Sequence, residues 1–415
     1  MISEMPIKKK YENYYFLGAI GLFLLWFILF SFRPNSRECL IFFRKFEDLF
    51  ADFFNVLRYV SERDVYFNEV NGLGQKEYLP LAYMIFYPFS RFDDYARMSL
   101  ADCWHSQWGM FTCFLFLFIN LILLLHSLLA LCKKYSVDEK IAYALFCSNV
   151  ILLSIERANI VFLSAVFLNY FLVFYDSQNA RERLFACFAL AFSATLKIYP
   201  VLFILLYLPK KRYKEFFTTV IMGLLLAFLP FLFFKQGFAN IPQLVKNVLV
   251  ASNTGFFTAY GGCFSPLVFD ACRFLGMNEN VSMMFVGLSR YFVILLTLIS
   301  LALFFIHHDS LKRWDKLTLL LFPFLYLPST NRRYCGLFIF SLVILYFATL
   351  PERKKASNIL FLVLFLIAFT PLEFFESGLN SLIHQRIIFF ICAVSLFSRT
   401  RFICNEFFLR KKETF

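Results

Sequence analysis

The chain has 415 residues, 60% of them hydrophobic and only 17% charged, with a mean hydropathy of +0.66 and a formal net charge of +13. A soluble domain carries about a quarter charged residues, so this composition excludes that class and reads as a membrane protein. The basic excess falls mainly in short segments between apolar runs, which marks topology and leaves no case for nucleic-acid binding.

In chain order, Lys8, Lys9 and Lys10 precede an apolar run over 16–32. Arg33, Pro34 and Asn35 follow it where a small-residue cleavage site would stand, so the run reads as a retained first span. The first long loop, 34–104, opens with helical apolar spacing over 39–60 (Leu40, Phe43, Phe46, Phe50, Phe53, Leu57), the pattern of an amphipathic interfacial helix. Asp48 and Asp52 lie four apart and therefore share one helix face, as a solvated acidic stripe or as a catalytic pair. A short apolar helix is expected from Tyr78-Leu79-Pro80-Leu81 to Tyr87-Pro88.

Further spans are predicted at 109–132, 141–155, 159–175, 216–234, 283–306, 335–350, 358–370 and 386–398, with shorter pieces at 184–196, 199–208 and 317–327. The breaks at Lys133-Lys134, Arg181/Arg183, Lys210-Lys211-Arg212, Lys312-Arg313, Arg353-Lys354-Lys355 and Arg410-Lys411-Lys412 are short and basic, which assigns them to the cytoplasm. About twelve spans with both termini inside satisfy this rule. The scheme requires 184–208 to be a hairpin turning at Lys197-Ile198-Tyr199-Pro200, because one continuous helix would invert everything downstream. Lys197 then sits partway into the membrane from the outer side, a costly place for a cation with no function. The second long loop, 235–282, holds another plausible interfacial helix from Ile241 and a Gly- and aromatic-rich stretch from Gly255 to Pro266. The whole chain, 1–415, reads as one integral membrane domain. The eleven Cys are scattered, without ligand spacing, and suit small core positions.

The polar turns on the outer side collect chemistry-bearing residues. Glu156-Arg157-Ala158-Asn159 separates two spans, and Asn331, Arg332, Arg333 and Tyr334 follow the piece at 317–327. With Lys197 and His384 they offer cations for a lipid phosphate, which Arg grips as a fork and Lys as a point charge; each cation by itself is equally explained by snorkelling to the interface.

These residues resemble the polyprenol-phosphate-dependent enzymes of glycosyltransferase family 87, which have the GT-C fold. Phe50-Ala51-Asp52-Phe53-Phe54-Asn55, Asp64-Val65-Tyr66 and Tyr78-Leu79-Pro80-Leu81 look like the family's acidic motif, its following tyrosine and its YPPL-type segment. Glu156-Arg157-Ala158-Asn159-Ile160 is similar to its short polar turn, with Ala158 where Gly is usual, and Ala191 to Arg212 follows its small-residue run, Lys-x-x-Pro and basic loop. Asn331-Arg332-Arg333-Tyr334 resembles its late polar motif, and Leu79 replaces the first Pro of a proline pair.

The resemblance implies an all-α polytopic GT-C enzyme of a bacterial inner membrane that moves a mannose-like hexose from a polyprenyl-phosphate donor to an envelope glycan or glycolipid at the outer face, with inversion. Asp52 is the expected base, with Asp48 one turn away as the alternative. Lys197, Arg157, Arg332, Arg333 and His384 are the expected phosphate contacts. Tyr66, Tyr78, Glu156, Asn159, Tyr199, Asn331 and Tyr334 are the expected substrate contacts. No cofactor or metal is expected, with Asp93-Asp94 the one alternative metal motif.

Two other classes are less well served by the sequence. A flippase of lipid-linked oligosaccharide calls for inverted repeats and midplane polar residues, and no repeat is visible. An envelope polysaccharide polymerase would carry an outer loop rich in Arg and His, whereas 34–104 is rich in acids too.

Overall fold

The computed structural model describes residues 5–32, 49–70, 76–254, 264–326, 333–350 and 355–372. Among these residues every regular element is helical. The chain begins with α1 (Met5–Phe32). The first long loop carries α2 (Ala51–Val60), α3 (Pro80–Phe86) and α4 (Leu100–His105), and leads into α5 (Gln107–Lys134). There follow α6 (Lys140–Phe146), α7 (Asn149–Arg157), α8 (Val161–Phe174), α9 (Ala180–Leu196), a 3-10 helix over Tyr199–Tyr207 and α10 (Tyr213–Phe228). The second long loop holds α11 (Asn240–Thr254) and α12 (Phe264–Phe274). Beyond it lie α13 (Glu279–Ile306), α14 (Arg313–Tyr326), a 3-10 helix over Arg333–Phe338, α15 (Ile339–Ala348) and α16 (Lys355–Phe369).

Four of these helical stretches are long and apolar enough to cross a membrane: 7–32, 107–134, 213–233 and 279–306. Val161–Phe174, Tyr334–Ala348 and Asn358–Phe369 are shorter apolar helices. The chain is thus an all-α polytopic membrane protein. The span expected over 141–155 is instead two helices, α6 and α7, parted at Cys147 and Ser148. Ser148 is extended (φ −106°, ψ 159°) and stands as the N-cap of α7, the position that Ser favours over a helix interior. The expected span at 386–398 lies outside the described residues.

The bundle is built on α8, which packs against α9 and α5, while α9 also packs against α10. Small polar residues let α8 and α9 approach: the Ser164 hydroxyl donates to the Ser193 carbonyl at 2.9 Å, and the Ser193 hydroxyl returns a bond to the Ser164 carbonyl at 2.7 Å. Asn169 of α8 donates to Ser127 of α5 at 3.0 Å. Between apolar helices in lipid such bonds contribute about 0.6 kcal/mol each and fix which faces meet.

The hairpin expected over 184–208 is formed by α9 and the 3-10 helix Tyr199–Tyr207. Its first arm, α9, starts earlier than the apolar run, at Ala180, and its 17 residues reach about 25 Å. The 3-10 helix returns the chain, and Arg212 donates to the Tyr175 carbonyl at 2.7 Å while Arg183 pairs with Glu215 at 3.0 Å. Both ends of the hairpin therefore meet at one end of the bundle. Lys134 and Arg313 join them there through Asp176, at 3.0 and 3.1 Å, and Lys8 donates to the Ser136 carbonyl. The basic loops at 8–10, 133–134, 181–183, 210–212 and 312–313 thus share one end, as the charge pattern requires. Lys197, at the far end of α9, lies at the other.

The first long loop is folded onto that other end. Phe53 of α2 packs against Phe86 of α3 and Phe116 of α5, with ring centroids 5.7 and 5.2 Å apart. Phe53, Phe54, Leu57 and Val60 are buried, so the apolar stripe of α2 is covered by protein. In contrast α11 leaves Val245, Val248 and Leu249 exposed, and α10 leaves Phe217, Ile221, Leu224 and Phe228 exposed.

Candidate active site

Asp52 stands in the first turn of α2, whose N-cap, Phe50, is in the left-handed region (φ 53°). The Phe50 amide donates to the Glu156 carbonyl at 2.7 Å, which fastens the start of α2 to the end of α7. At that end Ala158 takes φ 48° and ψ 48°, so the chain reverses sharply between α7 and α8. This left-handed turn aims Arg157 and Asn159, the residues on either side of Ala158, back at α2. The Arg157 guanidinium binds Asp52 Oδ1, and Asn159 donates to Asp52 Oδ2 at 2.7 Å. Asn159 Oδ1 accepts from the Val161 amide at 2.9 Å, which fixes the side chain at the start of α8.

The same Asn159 amide also donates to the Tyr78 hydroxyl at 3.2 Å, and Lys197 Nζ donates to that hydroxyl at 3.2 Å. The Tyr78 oxygen accepts twice, so its own proton is left for another acceptor. Tyr78 is held from its backbone: its carbonyl accepts from the Tyr66 hydroxyl at 3.0 Å and its amide donates to the Tyr83 hydroxyl at 3.3 Å. Buried Tyr66 thus supports Tyr78 from behind. The Lys197 ammonium lies 4.3 Å from the Tyr78 ring centroid and 5.9 Å from that of Tyr334. Ring faces stabilise a cation without neutralising it. Among the described residues no carboxylate lies within ion-pair distance of Lys197. Tyr199 stands two residues on, at the first position of the 3-10 helix.

Five expected site residues from four parts of the chain are therefore joined in one hydrogen-bonded chain, Arg157–Asp52–Asn159–Tyr78–Lys197, with Tyr334 beside its last member. Glu156 is buried and adds its backbone to the turn. Asp48, Asn331, Arg332 and His384 lie outside the described residues, and for Arg333 only the backbone, at the start of its 3-10 helix, is described. Asp93 and Asp94 are engaged locally. Asp93 accepts from the Ser106 hydroxyl and the Asp94 amide, and Asp94 lies 3.4 Å from Arg97. Among the described residues no three of His, Cys, Asp and Glu gather as metal ligands.

Two site features were not legible beforehand. Arg157 was grouped with the phosphate contacts, and its guanidinium is on the carboxylate. The hub role of Tyr78 depends on two partners more than eighty residues away, which no local pattern encodes.

Comparison with known proteins adds one match. The sequence model of glycosyltransferase family 87 matches residues 78–330, more than half of the chain, a range that contains Tyr78, Arg157, Asn159 and Lys197 but neither Asp52 nor Tyr334. No curated protein and no solved structure matches. On the extent of that match, and with the helical membrane fold beneath it, the chain belongs to glycosyltransferase family 87 and is a membrane glycosyltransferase.

Proposed function

We propose that the protein transfers a mannose-like hexose from a polyprenyl-phosphate donor to a hydroxyl of an envelope glycan or glycolipid, at the face of the inner membrane opposite the basic loops. The observation that carries this reading is the linked chain of Asp52, Asn159, Tyr78 and Lys197. In support of it, a carboxylate and an ammonium stand on one hydrogen-bonded chain, and among the described residues no carboxylate lies within ion-pair distance of Lys197. Both substrates remain anchored in the bilayer while their head groups meet there.

In this mechanism the acceptor oxygen attacks the anomeric carbon opposite the phosphate, and the carbon–oxygen bond to the phosphate breaks. The leaving group is the polyprenyl phosphate monoester, whose charge rises as the bond breaks. Lys197 and the free proton of Tyr78 stabilise that charge most in the transition state, which is where stabilisation accelerates the reaction. Asp52 takes the acceptor proton. Arg157 and Asn159 hold one carboxylate oxygen each and so orient the group. Inversion follows from a single displacement.

The test is Asp52→Asn in purified protein given polyprenyl-phospho-mannose and a glycan acceptor. General base catalysis of this kind is worth about 10²–10⁴-fold, and a loss of that size is expected. Turnover near that of the unmodified protein removes Asp52 as the base and directs attention to Asp48.

A further inference from the structure

We propose that Asn247, on the second outer loop, is a positioning residue for Tyr78; the inference rests on the functional reading above. Asn247 is fully buried on α11. Its side-chain amide donates to two carbonyls of the first outer loop, that of Lys76 at 3.2 Å and that of Tyr66 at 3.5 Å. Its Oδ1 accepts from Gln243 Nε2, one turn earlier, at 2.9 Å. Both donors and the acceptor are thus used, and the two carbonyls flank the excursion that ends two residues before Tyr78.

These bonds act on Tyr78 from two sides. Tyr66, whose carbonyl Asn247 holds, donates its own hydroxyl to the Tyr78 carbonyl. Lys76, whose carbonyl Asn247 also holds, is buried, and its ammonium is bonded to the Asn68 carbonyl at 2.6 Å. Tyr78 contributes its hydroxyl to Asn159 and Lys197, so a shift of its backbone moves the one oxygen that joins the carboxylate half of the site to the ammonium half. The helix that carries Asn247 is itself anchored. Asn240 donates to the carbonyls of Lys235 and Gly237 at 2.8 Å each, which closes the turn that leads into α11. A second clasp runs alongside, where the Arg63 guanidinium bonds to the Phe233 carbonyl and lies over the Phe233 ring at 4.5 Å. On α11, Asn240, Leu244 and Asn247 are buried, while Val245, Lys246, Val248 and Leu249 are exposed. Asn247 thus acts on Tyr78 from the side of the helix that faces the protein.

The experiment compares the unmodified protein with Asn247→Leu, which keeps the volume and removes both donors, in lipid nanodiscs. Gln243→Leu serves as the milder variant, since it leaves both Asn247 donors in place. Two readouts are taken. Hydrogen exchange of the peptide Lys76–Tyr83 is expected to quicken about tenfold in Asn247→Leu while exchange in α5 and α8 is unchanged. With polyprenyl-phospho-mannose as donor, kcat is expected to fall about ten- to a hundredfold with the donor KM held within about twofold. Gln243→Leu is expected between the two in both readouts. Unchanged exchange at Lys76–Tyr83 overturns the proposal. So does quickened exchange throughout the bundle with a matching drop in thermal midpoint, which would make Asn247 a residue of general stability. The exchange arm needs no sugar transfer, so a protein inactive toward this donor would sink the functional reading and still leave Asn247 decided.

Discussion

Asn159 donates a 2.7 Å hydrogen bond to Asp52 across 107 residues of sequence, from the first turn after a left-handed reversal to the first turn of a loop helix. The bond spans the two parts of the chain that hold the carboxylate, and a second bond from the same amide reaches Tyr78. One asparagine side chain therefore couples the acid half of the site to the cationic half.

That coupling predicts unequal effects of two substitutions. Lys197→Met removes the charge opposite the phosphate and is expected to lower kcat/KM for a polyprenyl-phosphate donor by about 10²-fold or more. Tyr78→Phe keeps the ring under the ammonium and loses the bridging oxygen, so about a tenfold loss is expected. Steady-state kinetics with the purified variants check both. A Tyr78→Phe enzyme as slow as Lys197→Met would make the hydroxyl itself a principal catalytic group.

Ala158 occupies a left-handed turn that suits glycine, and a Cβ in that conformation costs about 1–2 kcal/mol. Ala158→Gly is expected to raise stability by about 0.5–1 kcal/mol after its greater chain entropy is counted, with activity retained because the turn geometry is unchanged. Thermal unfolding in detergent measures this. A lower midpoint would mean that the buried methyl group contributes more through packing than the backbone loses.

The first long loop carries a pH response through Lys76. Burial pulls its ammonium down from 10.5 to about 8, with Glu69 acting in the opposite sense. In the unfolded loop the amine keeps its proton up to 10.5, so between pH 8 and 10.5 the unfolded state binds more protons and stability rises with pH. Below pH 8 the cost of the buried charge is fully present and constant. Exchange of loop peptides should slow between pH 8 and 10 after correction for intrinsic rates, and Lys76→Met should abolish that slowing. A flat corrected profile in the unmodified protein would contradict the shift.

The convergence of the basic loops predicts a topology that can be mapped directly. An epitope inserted at Lys211 is expected to be protected in intact spheroplasts, and one at exposed Arg97, in the first long loop, to be accessible. The reverse pattern would put the site in the cytosol and remove the outer-face reading.

How much could be read in advance differs between fold and site. The helical class, the hairpin over 184–208 and the shared end of the basic loops followed from apolar run lengths and from Lys and Arg placement. These are local quantities governed by bilayer thickness and membrane charge bias. The division of 141–155 into α6 and α7 was missed because hydropathy averages over Ser148 and Asn149, which start a new helix. The polar pattern of Asn240, Gln243 and Asn247 was also present, yet its meaning depended on which side of α11 faced the protein.

The sequence by itself determined that this chain is a helical membrane protein and which residue types could do chemistry. Only the tertiary structure decided that Arg157 pairs with Asp52, that Tyr78 joins Asn159 to Lys197, and that α11 is bonded to the first long loop through one amide. The physical reason is range. Hydrophobic length and charge bias act along a few turns of chain, whereas a hydrogen bond needs donor and acceptor within about 3 Å, and packing alone brings residues a hundred positions apart to that distance.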